Sequence, residues 1–184
     1  VLVVTAPAFI FFSQKGPGAM HAPWLISLAA GLVVGGLSQV SRLCTVGGFR
    51  DLFLFKKSIL IFGYLAVLIG VFVVNISFGN FHLGFENQPI AHTDGLWNFL
   101  GMALAGFCSV LLGGCPLRQL IMTGEGNSDS AVTVLGLAAG AAFAHNFGLA
   151  ASGAGPTLNG EIAVVVGFIV ALIIAVVNTK RVNA

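Results

Sequence analysis

Gly113-Gly114-Cys115-Pro116-Leu117-Arg118 is the stretch of this sequence best equipped for chemistry. Two glycines let the backbone bend and approach a ligand closely. Proline suits the first position of a new helix, where its missing N–H costs nothing. Cys115 then becomes the N-cap of a helix carrying Leu117 and Arg118 in its first turn. The free N–H groups and positive dipole end of that helix point at whatever lies beside the thiol. Arg118 adds a fixed positive charge. These parts make a small anion site with a sulfur atom in it. A plainer reading of the same residues is a helix break between two membrane spans, with the cysteine filling space.

A second stretch has the same parts. Gly31 to Cys44 reads GLVVGGLSQVSRLC, and Gly101 to Cys115 reads GMALAGFCSVLLGGC. Each has glycines five apart, a cysteine eight or nine residues later, and an arginine after the cysteine, Arg50 in the first and Arg118 in the second. The pairing suggests an internal repeat, 23–77 and 96–150, at a period of about seventy residues, an organisation common in transporters that place a site between repeats.

The elements that must position these residues are membrane helices. Of 184 residues, 57% are hydrophobic and only 8% charged, with a mean hydropathy of +1.00. Soluble domains carry about 25% charged residues, so long uncharged runs imply a polytopic membrane protein. The net charge of +2 is scattered between apolar segments and makes no basic patch for nucleic acid. Complete spans are expected over about 23–41, 58–77, 96–113, 130–150 and 161–178, beside the tail of a truncated helix at 1–12. Residues 42–57 are too polar to span and too apolar for a free loop, which fits a re-entrant segment lining a polar cavity. Gly31/Gly35 and Gly136/Gly140 form GxxxG packing faces. The fold class is therefore all-α polytopic membrane protein, a single membrane domain over 1–184, with about five complete transmembrane helices, a truncated one, and two short re-entrant elements bearing Cys44 and Cys115. The chain starts inside an apolar run without an initiator methionine, and reads as a fragment or as half of something longer.

Placing 42–57 in the cytoplasm puts Arg42, Arg50, Lys56, Lys57, Arg118, Lys180 and Arg181 inside and only Lys15 outside. That asymmetry sets the orientation, with a cytoplasmic C-terminus. Other polar residues are weaker candidates. His145 and Asn146 lie within the expected fourth span, where a polar pair is a site or an interhelical hydrogen bond. His82, His92, Glu86 and Asp94 lack tight ligand spacing, and without a CxxC pair no metal or dithiol centre is indicated. Cys108 shares a helical face with Cys115 and reads as packing. Arg50-Asp51 reads as an internal ion pair, Glu125 and Asp129 as solvated loop carboxylates.

SRLCTVGGFRDLFLF, FGNFHLGFENQPIAHTDGLWNFLGM, GGCPLRQLIMTGEGNSDSA and AAFAHNFGLAASGAGPT together resemble the YeeE/YedE sulfur-transport family, and most of all its YedE branch of selenium transporters. The resemblance covers nearly the whole chain and matches the C-terminal of two related halves. It implies bacterial inner-membrane uptake of a small sulfur-containing anion such as thiosulfate, or a related selenium species, along a path of cysteines on short re-entrant helices. Carried over by motif, Cys115 and Cys44 are the path residues. Gly113, Gly114, Pro116 and Arg118 shape the first site, and Gly47, Gly48 and Arg50 the second. The implied partners are the anion, the lipid bilayer, a TusA-like cytoplasmic sulfur carrier, and a missing N-terminal half or second chain. No cofactor is implied. The alternatives are a membrane thiol enzyme transferring persulfide sulfur through Cys115, or a scaffold subunit without transport.

Overall fold

The computed structural model describes residues 22–84 and 92–182, with side chains to residue 179. The expected helix tail at 1–12 lies outside the described residues, as does Glu86 of the polar loop. The chain forms two compact units, Val1–Ser41 and Arg42–Ala184.

The described part of the first unit is one helix, α1 (Trp24–Ser41). Apolar residues surround it on every side, as in a helix facing lipid. Its final hydroxyl, Ser41 Oγ, folds back on Ser38 O at 3.4 Å.

The described residues of the second unit form six helices, beginning with α2 (Thr45–Phe55) and α3 (Ile59–Ser77). Then come α4 (Gly95–Leu111), α5 (Pro116–Gly124), α6 (Ser128–Asn146) and α7 (Leu158–Val182). Local chemistry sets their ends. Asp94 caps α4 by accepting from Trp97 N at 3.2 Å, and Asn127 caps α6 by accepting from Ser130 N at 2.9 Å, each satisfying a donor that a helix start leaves free. Lys56 ends α2 in the left-handed conformation, its N–H capping the helix. Thr157 opens α7, its Oγ1 accepting from Gly160 N and donating to Gly148 O, which ties the α6–α7 link to both helices.

Close backbone approach decides the packing within this unit. α2 lies against α3 where Gly48 faces the Leu60–Ile61 backbone at 3.4 Å from a would-be Cβ. α4 packs on α7 through Leu104 over Gly167, and α5 packs on α6. A Cβ added at Gly136 or Gly140 of α6 would meet nothing within 4 Å; these glycines line a hollow of about 580 Å³ with Leu112 and Thr133.

Among the described residues, four stretches are long and apolar enough to cross a membrane: Trp24–Phe55, Ile59–Ser77, Gly95–Gly124 and Leu158–Thr179. This is the all-α polytopic fold expected. The stretch 130–150 does form a helix, α6, but it is not among the four: its start carries Ser128, Asp129 and Ser130, its middle is glycine and alanine, and it ends at Asn146.

Among the described residues no large side chain is fully buried. The buried side chains of the second unit are small or polar: Cys44, Cys115, Ala171, Ser109, Gln119 and Ser130. Where the surroundings are hydrocarbon, apolar side chains gain little by turning inward, and burial is left to groups that need protein partners.

Candidate functional site

The same local build surrounds both cysteines. After α1, Arg42 takes the left-handed conformation (φ 52°), and Cys44 follows as the extended N-cap of α2. After α4, Gly113 takes it (φ 75°), where only glycine escapes a steric penalty, and Cys115 follows as the extended N-cap of α5. Each cysteine carbonyl accepts the first bond of its helix, from Gly48 N at 2.8 Å and from Gln119 N at 3.1 Å. Pro116 stands at the first helical position, where no donor is lost.

The two thiols are neighbours. Cys44 and Cys115 are 8% and 6% exposed, neither is in a disulfide, and the Cys44 side chain stands beside the Cys115 sulfur. Cys44 Sγ also accepts from Gly47 N at 3.3 Å. Cys115 Sγ is faced by the N–H groups of Thr45, Leu117 and Arg118, although none makes a capping bond of full geometry. Two helix starts thus converge on one pair of sulfur atoms, and first-turn N–H groups of both are turned toward it.

The glycines around the pair have definite jobs. A Cβ on Gly47 would lie 3.3 Å from both Cβ and Sγ of Cys44, so a side chain there would press on the thiol. Gly113 and Gly114 end α4 by donating to Val110 O and Ser109 O, each at 3.1 Å. Gly114 is buried under Arg118 and Gln119. Gln119, 4% exposed, reaches back to donate from Nε2 to Leu112 O at 2.9 Å, which fastens the Gly113–Gly114 turn to α5.

The arginines sit differently from one another. Arg50 pairs with Asp51 through Nε and Nη2 at 3.0 and 2.9 Å; the expected ion pair is there, with the guanidinium exposed and the carboxylate half-buried. Arg50 also lines a cavity of about 430 Å³ with Gly47, Phe49, Phe53, Val110 and Gly113. That cavity opens beside the residues flanking both cysteines. Arg118 is half-buried; its Nη2 lies 3.8 Å from Oε2 of Glu125, which ends α5 and is therefore a helix-end partner more than a free loop carboxylate.

The remaining candidates lie apart from the cysteine pair. Cys108 is in the wall of a separate groove of about 1000 Å³ between α4, α6 and α7, where its neighbours are aliphatic and aromatic. His145 and Asn146 are exposed in the last turn of α6, with Asn146 Nδ2 donating to Ala142 O at 2.9 Å, so they are helix-end residues and not a pair at mid-span. Asp94 serves as a helix cap and His92 Nδ1 accepts from its N–H at 3.3 Å. Sequence reasoning missed Thr45 and Gln119. Thr45 follows the N-cap cysteine directly, so its free N–H was available from position alone. Gln119 belongs to the CPLRQ run but carries no mark there of its backward reach.

The sequence pattern of a family described as sulphur transport matches residues 40–182, more than three-quarters of the chain. The thiosulfate transporter TsuA of Escherichia coli (strain K12) is 30% identical over 111 residues, which make up 58% of this chain and 30% of that protein. The match thus spans less than a third of that relative's length. No solved structure matches.

Proposed function

The chain belongs to the sulphur-transport family (YeeE/YedE), and from that premise we propose that it carries a small sulfur-containing anion, thiosulfate or one of similar size and charge, across the bacterial inner membrane past Cys44 and Cys115. The observation that carries this reading is the convergence of two N-capping thiols under the starts of α2 and α5. A dianion in a membrane interior suffers a large desolvation cost. Backbone N–H groups at helix starts offset it without a fixed countercharge that would hold the ion too long. A neutral thiol donates a hydrogen bond and adds no charge of its own. The relative named as a thiosulfate transporter supports the substrate class. A selenium analogue of like shape would meet the same donors.

On this reading the ion enters through the cavity bordered by Arg50, Gly47 and Gly113, whose walls are otherwise apolar. The guanidinium draws the anion in, and the site residues are Cys44, Gly47, Gly48 and Arg50 on one side and Gly113, Gly114, Cys115, Pro116 and Arg118 on the other. The order of elements, long helix, break, cysteine, short helix, long helix, occurs twice and supports reading 23–77 and 96–150 as repeats. The same reading puts the C-terminus in the cytoplasm, a TusA-like carrier there to receive sulfur, and a further half or second chain to complete the path.

The test is uptake of radiolabelled thiosulfate by bacteria lacking other sulfur-anion uptake and expressing this chain. Losing one hydrogen bond to a charged ligand costs about 1.5 kcal/mol or more, hence about tenfold in rate. Cys44→Ala and Cys115→Ala should each lower initial uptake by at least that factor at unchanged membrane abundance. Full-rate uptake by the double variant would overturn the proposal.

A further inference from the structure

We infer that the groove between α4, α6 and α7 holds the acyl chains of one anionic phospholipid, with its phosphate at the Asn178 end. The groove, about 1000 Å³, lies where two packed helix pairs meet, α4 on α7 and α5 on α6. One face of α7 forms its floor, contributing a lining residue at every third or fourth position from Asn159 to Asn178. At about 1.5 Å per residue that face is about 28 Å long, close to the roughly 30 Å hydrocarbon thickness of a bilayer. Along this length the walls are apolar, with Leu111 and Leu112 from α4 and Phe143 and Phe147 from α6. Amides mark the two ends. Asn159 is fixed there by its Nδ2 donating to Phe147 O at 3.1 Å, and Asn178 closes the other end of the lining.

Apolar walls of membrane thickness suit either a helix or lipid chains, and size decides between them. A helix with its side chains is about 10 Å across, so one lying along the floor would need about 2200 Å³, more than twice the groove. Helices in membranes also approach through small residues, whereas α4 and α6 present bulky aliphatic and aromatic walls here. Acyl chains are thinner and flexible enough to follow such walls. Without an occupant the side chains on both walls would forfeit dispersion contacts.

The charges of α7 choose the headgroup and its direction. The first turn carries Glu161, which repels a phosphate. In sequence, Lys180 and Arg181 come directly after the Asn178 end. Cations beside a membrane helix attract anionic lipid, so the phosphate belongs at that end and the chains run back toward Asn159.

The intact chain would be purified in detergent, stripped of lipid, and offered mixed micelles of phosphatidylglycerol or of phosphatidylcholine with identical chains. Native mass spectrometry would count the lipid retained. The expected result is one phosphatidylglycerol per chain, held about fivefold or more over phosphatidylcholine, the worth of one Lys or Arg at a membrane surface. Lys180→Gln with Arg181→Gln should abolish that preference while lipid is still retained. Val170→Trp fills the middle of the groove and should lose both lipids. Ile169→Trp, next to it on α7, equally half-exposed but outside the lining, should keep them. Ala163→Phe is a second filler, nearer Asn159, and should act like Val170→Trp. Lipid retained equally by both fillers and by Ile169→Trp would overturn the inference, as would equal retention of the two lipids by the unaltered chain.

Discussion

Gln119 is the side chain whose removal tests the cysteine junction most directly. It is 4% exposed, and its Nε2 donates to Leu112 O at 2.9 Å across the Gly113–Gly114 turn. Leu112 ends α4, so its carbonyl has no helical partner of its own. Gln119→Leu keeps the approximate volume and removes the donor. Leu112 is itself exposed, so losing this part-buried bond costs about 0.5–1.5 kcal/mol. Because the lost bond joins the turn to α5, the cost falls on the local closing of that turn. At about 1.4 kcal/mol per decade, the population with the turn open rises by about 2- to 12-fold. Cys115 directly follows the turn and is 6% exposed, so a maleimide reaches it by local opening. Its labelling rate in membrane vesicles should rise by that factor, while Cys108, partly exposed on α4, keeps its rate and serves as the internal standard. Gln119→Glu should do at least as much, since an ionised carboxylate accepts only and would face a carbonyl. A rise of less than twofold in Gln119→Leu would refute the claim that this hydrogen bond holds the turn.

Two further outcomes follow from particular contacts. A Cβ on Gly160 would stand 2.6 Å from Leu149 O, a backbone atom that cannot step aside, so Gly160→Ala should lower stability by about 1–3 kcal/mol. Gly167→Ala meets only the end of the Leu104 side chain and should cost less; thermal unfolding of the two variants in detergent compares them. If Arg50 recruits the anion, Arg50→Gln should raise the thiosulfate concentration for half-maximal uptake about two- to fivefold, the range that exposed charge pairs reach. Asp51→Asn, which frees the Arg50 guanidinium from its partner at 2.9 Å, should lower it. Equal half-saturation in all three proteins would remove Arg50 from the entry route.

Much of the fold was legible because the bilayer imposes it. Apolar runs of span length had to become helices, and α3, α4 and α7 lie within a few residues of where hydropathy put them. The breaks were legible too, since Gly113 and Pro116 force a bend followed by a helix start, and the polar character of 42–57 ruled out a continuation of α1. What hydropathy could not give was distance. That Cys44 and Cys115 are neighbours depends on how α2 and α4 meet, and neither cysteine's neighbours in sequence encode it. Gly136 and Gly140 show the converse: the spacing named a packing face, and the structure lines a hollow with it. The glycines that do hold helices together, Gly48 and Gly167, lie outside any GxxxG pair. His145 and Asn146 were expected within a span running to residue 150, but the helix stops at Asn146, whose side chain bonds back to the Ala142 carbonyl.

The burial pattern makes one argument of these points. In water, burial gathers large apolar side chains; here those remain outermost, and the sheltered groups of the second unit include two thiols, two hydroxyls and an amide. A sheltered polar group away from water is tolerated only if each donor and acceptor finds a partner, and Ser109, Gln119 and Cys44 each do so within this chain. Cys115 differs: it meets several donors at once, from two helix starts, and caps none of them fully. On the transport reading proposed above, N–H groups gathered around one sulfur are what a transient guest needs in order to bind and then leave. That gathering is what would distinguish Cys115 from a cysteine that merely fills space, and removing a neighbour such as Gln119 should register at Cys115 first.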